Sequence, residues 1–181
     1  MWHEIARFEA KHLFRSWTTH LFFAIFFTIT FVTFLGLGGA FRGASVGTVN
    51  SHSEWTNSAS NLYQYISMIN LFTLLVVAGM VGNAVQRDRA LRMDGLFFTK
   101  PITKINYLAG RFLGTFIVLV YISASVGLGA FFASQTPVVE SALFGPQSWA
   151  AYLHPYLLAV LPNIFICGAF FFAVAAMTVS Y

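Results

Sequence analysis

The chain has 181 residues, of which 57% are hydrophobic and only 9% are charged, and its formal net charge is +4 at pH 7. A soluble globular domain carries about 25% charged residues, so this chain could not cover its own surface with polar groups in water. The composition excludes an ordinary soluble fold and predicts an integral membrane protein whose apolar surface faces lipid. The single cysteine, Cys167, excludes an intrachain disulfide framework.

The first stretch, residues 1–18, predicts an interfacial amphipathic helix. Arg7, Lys11 and Arg15 are spaced four apart and form one stripe, and Glu4 lies one turn before Arg7. A helix of this kind lies in the membrane plane with its cations toward anionic lipid. A plain juxtamembrane anchor and a functional elbow helix both fit the pattern. A cleaved signal peptide is disfavoured, because the stretch before the apolar run is long and contains acidic residues.

Four apolar segments are each long enough to cross a hydrocarbon core, which takes about 20 residues. They comprise residues 21–41, 62–85, 112–134 and 149–180. Because they are apolar on all sides and longer than the ~10 residues of a barrel strand, they favour helices. We therefore predict one all-α integral membrane domain over 1–181, in which the interfacial helix precedes four transmembrane helices. Pro155 and Pro162 predict a kink or break in the last segment.

The basic residues are distributed unevenly between the two sides of these spans. Nine of the ten lie before the first span or in the connection 86–111, and Arg42 is the exception. By the positive-inside rule, those two regions lie in the cytoplasm. We therefore predict a multi-pass protein of the cell inner (plasma) membrane with a cytoplasmic N-terminus. The connections 42–61 and 135–148 then lie outside.

The cytoplasmic connection has more local structure than topology requires. Asp88 precedes Arg92 by four residues, a favourable helical pair. Pro101 disfavours helical geometry in the residue before it and so ends that helix. Thr103 is placed to cap the next helix. The pattern predicts a short helix at the inner surface, a proline turn and re-entry into the membrane.

These residues carry a resemblance to a known family. "RDRALRMDGLFFTKPITKINYLAGRFLG" resembles the first intracellular loop of ABC-2-type ABC transporter permeases, and "HEIARFEAKHLFRS" is similar to the family's N-terminal elbow helix. The late segment "YLHPYLLAVLPNIFICGAFFFAVAAMT" is similar to a branch in which some members continue into a zinc aminopeptidase domain. Since the family's membrane domain has six spans, the chain looks like the N-terminal part of a permease, an incomplete six-span domain.

The resemblance implies that a separate cytoplasmic ATPase docks on the 86–111 coupling loop and drives export. That ATPase would hold ATP and Mg²⁺, this chain would bind no cofactor or metal, and a second permease copy or subunit would complete the pathway. The loop residues expected to contact the ATPase are Asp88, Arg89, Arg92, Asp94, Gly95, Phe97, Phe98, Thr99, Pro101 and Thr103. Those expected on the elbow helix are Glu4, Arg7, Lys11 and Arg15. Phe97 and Phe98 could instead insert into the lipid headgroup layer.

The spans carry signals for close helix packing. Gly110 and Gly114 are four apart, and Gly127 and Gly129 each follow a serine by four residues, so small side chains line up on helix faces. Packing within the subunit and dimerisation both fit. Asn70, Asn83 and Asn163 are expected to bond neighbouring helices. No charged residue lies deep in a predicted span, which argues against an ion-coupled transporter.

Two other functions are open. A membrane-embedded enzyme would have to use His20, His52 or His154, which are scattered through the chain and lack clustered ligands, so we expect no catalytic activity. A membrane anchor for an extracytoplasmic peptidase domain is the second alternative, although the chain contains no H-E-x-x-H zinc motif. The chain also lacks the G-x-x-x-x-G-K-[ST] nucleotide-binding motif. We expect no nucleic-acid partner, because the basic residues are accounted for by topology.

Overall fold

The computed structural model of the protein describes residues 2–41, 55–90 and 103–178, and within these ranges it contains helices and no strand. Helix α1 spans Trp2–Arg15 and α2 spans Trp17–Leu37. Helix α3 spans Ala59–Ala90 and α4 spans Lys104–Ser134. A short 3₁₀ turn at Ser141–Leu143 precedes the last segment.

The last segment is interrupted between its two prolines, as the sequence predicts. Helix α5 spans Trp149–Pro155, a π-helical turn spans Tyr156–Val160, and α6 spans Leu161–Thr178. Because Pro162 has no N–H and its ring crowds the carbonyl one turn earlier, a regular α-helical ladder cannot run through this point. The backbone N–H of Leu161 instead donates to the carbonyl of Tyr156, five residues earlier.

Four segments are long and apolar enough to cross a membrane: Trp17–Leu37, Ala59–Ala84, Ile105–Ser134 and Trp149–Thr178. The predicted all-α membrane fold with four spans is therefore confirmed. Helix α4 lies at the centre of the bundle. In its most apolar 18-residue stretch 56% is buried, whereas the corresponding share is 22–33% in the other three spans. It packs against α1, α2, α3 and α6.

Two helix ends differ from the predicted boundaries. The interfacial helix ends at Arg15 rather than residue 18, because Ser16 has extended backbone angles and Trp17 already begins α2. The first span ends at Leu37 rather than residue 41, since Gly39 has φ +80°, a conformation that glycine adopts without strain.

The predicted loop 86–111 is helical at both ends. Helix α3 continues to Ala90 and α4 already begins at Lys104, which leaves residues 91–103 between them. Hydropathy marks the part of a helix that lies in lipid, whereas the helix itself continues until a residue breaks it. The start of α4 at Lys104 agrees with the predicted Thr103 cap, and α3 extends beyond residue 85, the predicted end of its span.

The two connections at the other end of the bundle contact each other. The side-chain amide of Asn57 donates to the carbonyl of Gly145 at 2.9 Å, and the N–H of Gly145 donates to the Asn57 side-chain carbonyl at 2.8 Å. The N–H of Glu140 donates to the carbonyl of Gly38 at 2.9 Å. These bonds join the end of α2, the start of α3 and the α4–α5 connection.

Candidate functional site

The predicted ATPase-contacting residues divide between described and undescribed parts of the chain. Asp88 and Arg89 belong to the last turns of α3. Thr103 is the residue before α4, and its hydroxyl accepts from the N–H of Asn106 at 3.3 Å, so the predicted cap is confirmed. The others lie outside the described residues: Arg92, Asp94, Gly95, Phe97, Phe98, Thr99 and Pro101.

A buried ion pair joins α1 to α4, about two turns of helix after the Thr103 cap. The guanidinium of Arg111 in α4 donates from Nη1 to Oε2 of Glu9 in α1, and both side chains are almost entirely buried, with 9% and 1% exposed. Nε of Arg111 also donates to the hydroxyl of Tyr107 at 3.2 Å, and the guanidinium carbon lies 5.6 Å from the centroid of that ring. Because removing one partner would leave a buried charge uncompensated, the pair strongly favours this placement of α1 against α4.

Two glycines let α1 approach α4 closely enough for this pair to form. A Cβ added at Gly110 would lie 2.8 Å from the carbonyl oxygen of Trp2. One added at Gly114 would lie 2.7 Å from the carbonyl oxygen of Ala6 and 2.6 Å from Cβ of Glu9. The backbones are therefore nearly in contact, and this small-xxx-small step packs helices within the subunit.

The predicted charged stripe of α1 takes no part in the ion pair with α4. Glu4, Arg7, Lys11 and Arg15 are all exposed, whereas Glu9 is buried. Glu9 is two residues from both Arg7 and Lys11, which corresponds to a rotation of about 200° around a helix, so it lies on the opposite face. Helix α1 thus presents its cations outward and its one buried acid to α4.

The junction between α1 and α2 is capped by side chains of α2. The hydroxyl of Thr19 donates to the carbonyl of Leu13 at 2.7 Å, and Nε2 of His20 lies 2.8 Å from the carbonyl oxygen of Phe14. The Leu13 carbonyl also accepts from the N–H of Ser16 at 3.1 Å, so backbone and side-chain donors together satisfy carbonyls in the last turn of α1. His20, which the enzyme alternative would have to use, therefore contacts the backbone carbonyl of Phe14 at this junction.

The other two predicted packing glycines also lie at contacts between helices of the same chain. At Gly129, an added Cβ would lie 2.7 Å from the carbonyl oxygen of Phe27 in α2. At Gly127, it would lie 2.8 Å from the ring of Tyr156. In both places the missing side chain makes room for a neighbouring segment.

The membrane asparagines do not follow the sequence prediction. Asn70 accepts from the hydroxyl of Thr73 at 2.6 Å, and the side-chain carbonyl of Asn163 lies 3.5 Å from Sγ of Cys167. Both partners lie three or four residues along the same helix, so the expected bonds to neighbouring helices are wrong for these two. Asn83 is exposed on α3.

The burial of Glu9 was not predicted from the sequence, because an acidic residue close to a stripe of basic residues is normally expected to face solvent. Its position between Ala6 and Ala10, two small buried residues, was the available signal. Arg111 was expected only as a cytoplasmic charge. Within the described ranges, no group of three or more His, Cys, Asp or Glu side chains is arranged to hold a metal ion.

The fold and this site define a multi-pass, all-α membrane protein in which the N-terminal helix is joined to the central span by a buried ion pair. Comparison with protein-family models, with curated proteins and with solved structures gives no match to this chain.

Proposed function

We propose that the chain is a membrane-spanning permease subunit of an ATP-driven ABC exporter of the ABC-2 type. In this proposal a cytoplasmic ATPase, which holds ATP and Mg²⁺, docks on residues 88–103. The protein lies in the plasma membrane with its N-terminus in the cytoplasm and works with a second permease copy or subunit. The sequence resemblance suggests this function, and the arrangement of the helices at the basic end supports it.

The observation that carries the proposal is the position of the Glu9–Arg111 pair. Arg111 lies eight residues after Thr103, which is about 12 Å along a helix that begins at the loop. A force that displaced the start of α4 would therefore move α1 with it, since the pair and the two glycine contacts join them there.

The continuity of the flanking helices also favours a coupling role for the loop. Helix α3 runs without interruption from Ala59 to Ala90, and α4 runs from Lys104 to Ser134. Both are single continuous helices, and α4 contacts α1, α2, α3 and α6. A movement of the loop would thus be passed to most of the bundle through one central helix.

A crosslinking experiment in cells of the source organism tests the proposal. A photoreactive amino acid is placed at Phe97 or, in a second variant, at Phe98 of the full chain. Val138, in the connection 135–148 at the other end of the bundle, is the matched control position. We expect Phe97 to crosslink to a protein that carries a nucleotide-binding motif and hydrolyses ATP, and Val138 not to do so. A chain that serves only as an anchor for a peptidase domain would capture no ATPase at either position.

The docking claim fails if crosslinks from both Phe97 and Phe98 go only to lipid. That result would support the alternative in which these rings insert into the headgroup layer.

A further inference from the structure

A groove of about 740 Å³ runs along one side of the contact between α1 and α4. Its floor is apolar and its α1 wall carries cations. Its lining includes Arg7, Lys11 and Phe14 of α1 and Leu113 and Ile117 of α4. Arg7 and Lys11 lie one turn apart on α1, and Leu113 and Ile117 lie one turn apart on α4.

The two cations have no partner in the described part of the chain. Among the described residues, neither Arg7 nor Lys11 has an ion pair or hydrogen bond, and the Glu9–Arg111 pair lies on the other face of α1. They are about 6 Å apart along the helix axis, so their flexible side chains can converge on one anionic group.

The apolar side of the groove continues into the membrane. Leu113 and Ile117 belong to a membrane-spanning helix, and 49% of the Ile117 side chain is exposed. Phe14, in the last turn of α1, also lines the groove. A molecule that fits this surface therefore has an anionic head and a long apolar tail.

We infer that this groove binds one anionic phospholipid, with its phosphate on Arg7 and Lys11 and an acyl chain along Leu113 and Ile117. A basic pocket between membrane helices on the cytoplasmic side suits such headgroups. A second copy of the chain fits less well, because a two-fold contact through this groove would bring the same cations of both copies together. The inference does not depend on the transport proposal.

Native mass spectrometry of the purified full chain tests the site. The protein in detergent is titrated with phosphatidylglycerol, and in parallel with phosphatidylcholine that has the same acyl chains. We expect the first phosphatidylglycerol to bind more tightly than phosphatidylcholine. Equal affinity for the two lipids would overturn the proposal.

Charge variants locate the site within α1. Arg7→Gln and Lys11→Gln should each weaken binding of the first phosphatidylglycerol about fivefold, since one basic residue near a lipid surface contributes ~1 kcal/mol. Arg15→Gln is the matched control, because it removes the same charge from the same stripe but does not line the groove. Equal losses in all three variants would show only diffuse attraction and would contradict a defined site.

A steric variant tests the apolar half of the groove. Ile117→Trp should fill it and weaken phosphatidylglycerol binding while all cations remain. Soluble glycerol phosphate should compete poorly, because it lacks the acyl chain. If Ile117→Trp instead dissociates a dimer and leaves lipid binding unchanged, the groove is a protein interface and the inference is wrong.

Discussion

The hydroxyl of Tyr156 accepts from the backbone N–H of Gly127 at 3.0 Å and also donates to the carbonyl of Ser123. Residues 123 and 127 are four apart in α4, so these are the two groups that an uninterrupted α-helix would bond to each other. The Tyr156 hydroxyl thus bonds to both backbone groups of one step in the central helix. It does so from the first residue of the π-helical turn, and the absent side chain of Gly127 makes room for its ring.

Tyr156→Phe tests the contribution of this hydroxyl. We expect a loss of about 1 kcal/mol in the free energy of unfolding, because the substitution removes both hydrogen bonds of the hydroxyl. Unfolding in mixed micelles with increasing denaturing detergent measures the loss. Tyr121→Phe is the control, since its hydroxyl has only a 3.5 Å contact to His20 and should change little. Equal losses of stability in the two variants would show that the hydrogen bonds of the Tyr156 hydroxyl do not stabilise the fold.

The buried ion pair predicts a strong asymmetry between two acids of α1. Glu9→Ala should lower the free energy of unfolding by about 3–5 kcal/mol, because it removes the buried carboxylate that compensates the charge of Arg111. Glu4→Ala removes an exposed acid from the same helix and should change it by less than about 0.5 kcal/mol.

A double-mutant cycle separates the pair from general effects on α1. Glu9→Ala with Arg111→Ala should cost less than the sum of the two single variants, because the uncompensated charge is gone. Strict additivity would mean that the two side chains do not stabilise each other.

The glycine contacts predict different outcomes for chemically identical substitutions. Gly114→Ala should destabilise by about 1–3 kcal/mol, since the new Cβ would meet the backbone of α1, which cannot move alone. Gly79→Ala is the matched control, because a Cβ there has no atom within 4 Å. Thermal unfolding of both variants in the same detergent is the measurement. A Gly114→Ala protein as stable as Gly79→Ala would rule out close α1–α4 packing.

The charge asymmetry predicts where added cysteines are accessible. In a Cys167→Ser background, Arg92→Cys should react with a membrane-impermeant thiol reagent only after the cells are opened. Val138→Cys should react in intact cells. Labelling of both from the same compartment would refute the predicted orientation and, with it, the docking of an ATPase on the loop.

The spans, their number and the unequal charge of the two ends could be predicted from the sequence, because hydropathy and charge are properties of local segments. Thr103 and the interruption between Pro155 and Pro162 could be predicted for the same reason, since a cap and a proline act on their own turn of helix. The lengths of the helices were harder to predict from the sequence, because a helix can continue beyond the residues that contact lipid.

Which faces meet was decided only by the tertiary structure. Glu9 and Arg111 are 102 positions apart in the chain, and Tyr156 and Gly127 are 29 apart. The spans are apolar on every side, so no polarity pattern marks the face that packs against a neighbour. Close approach at glycines and the match of one buried acid to one buried base select these contacts. Both depend on the shapes of two helices together, which neither segment contains alone.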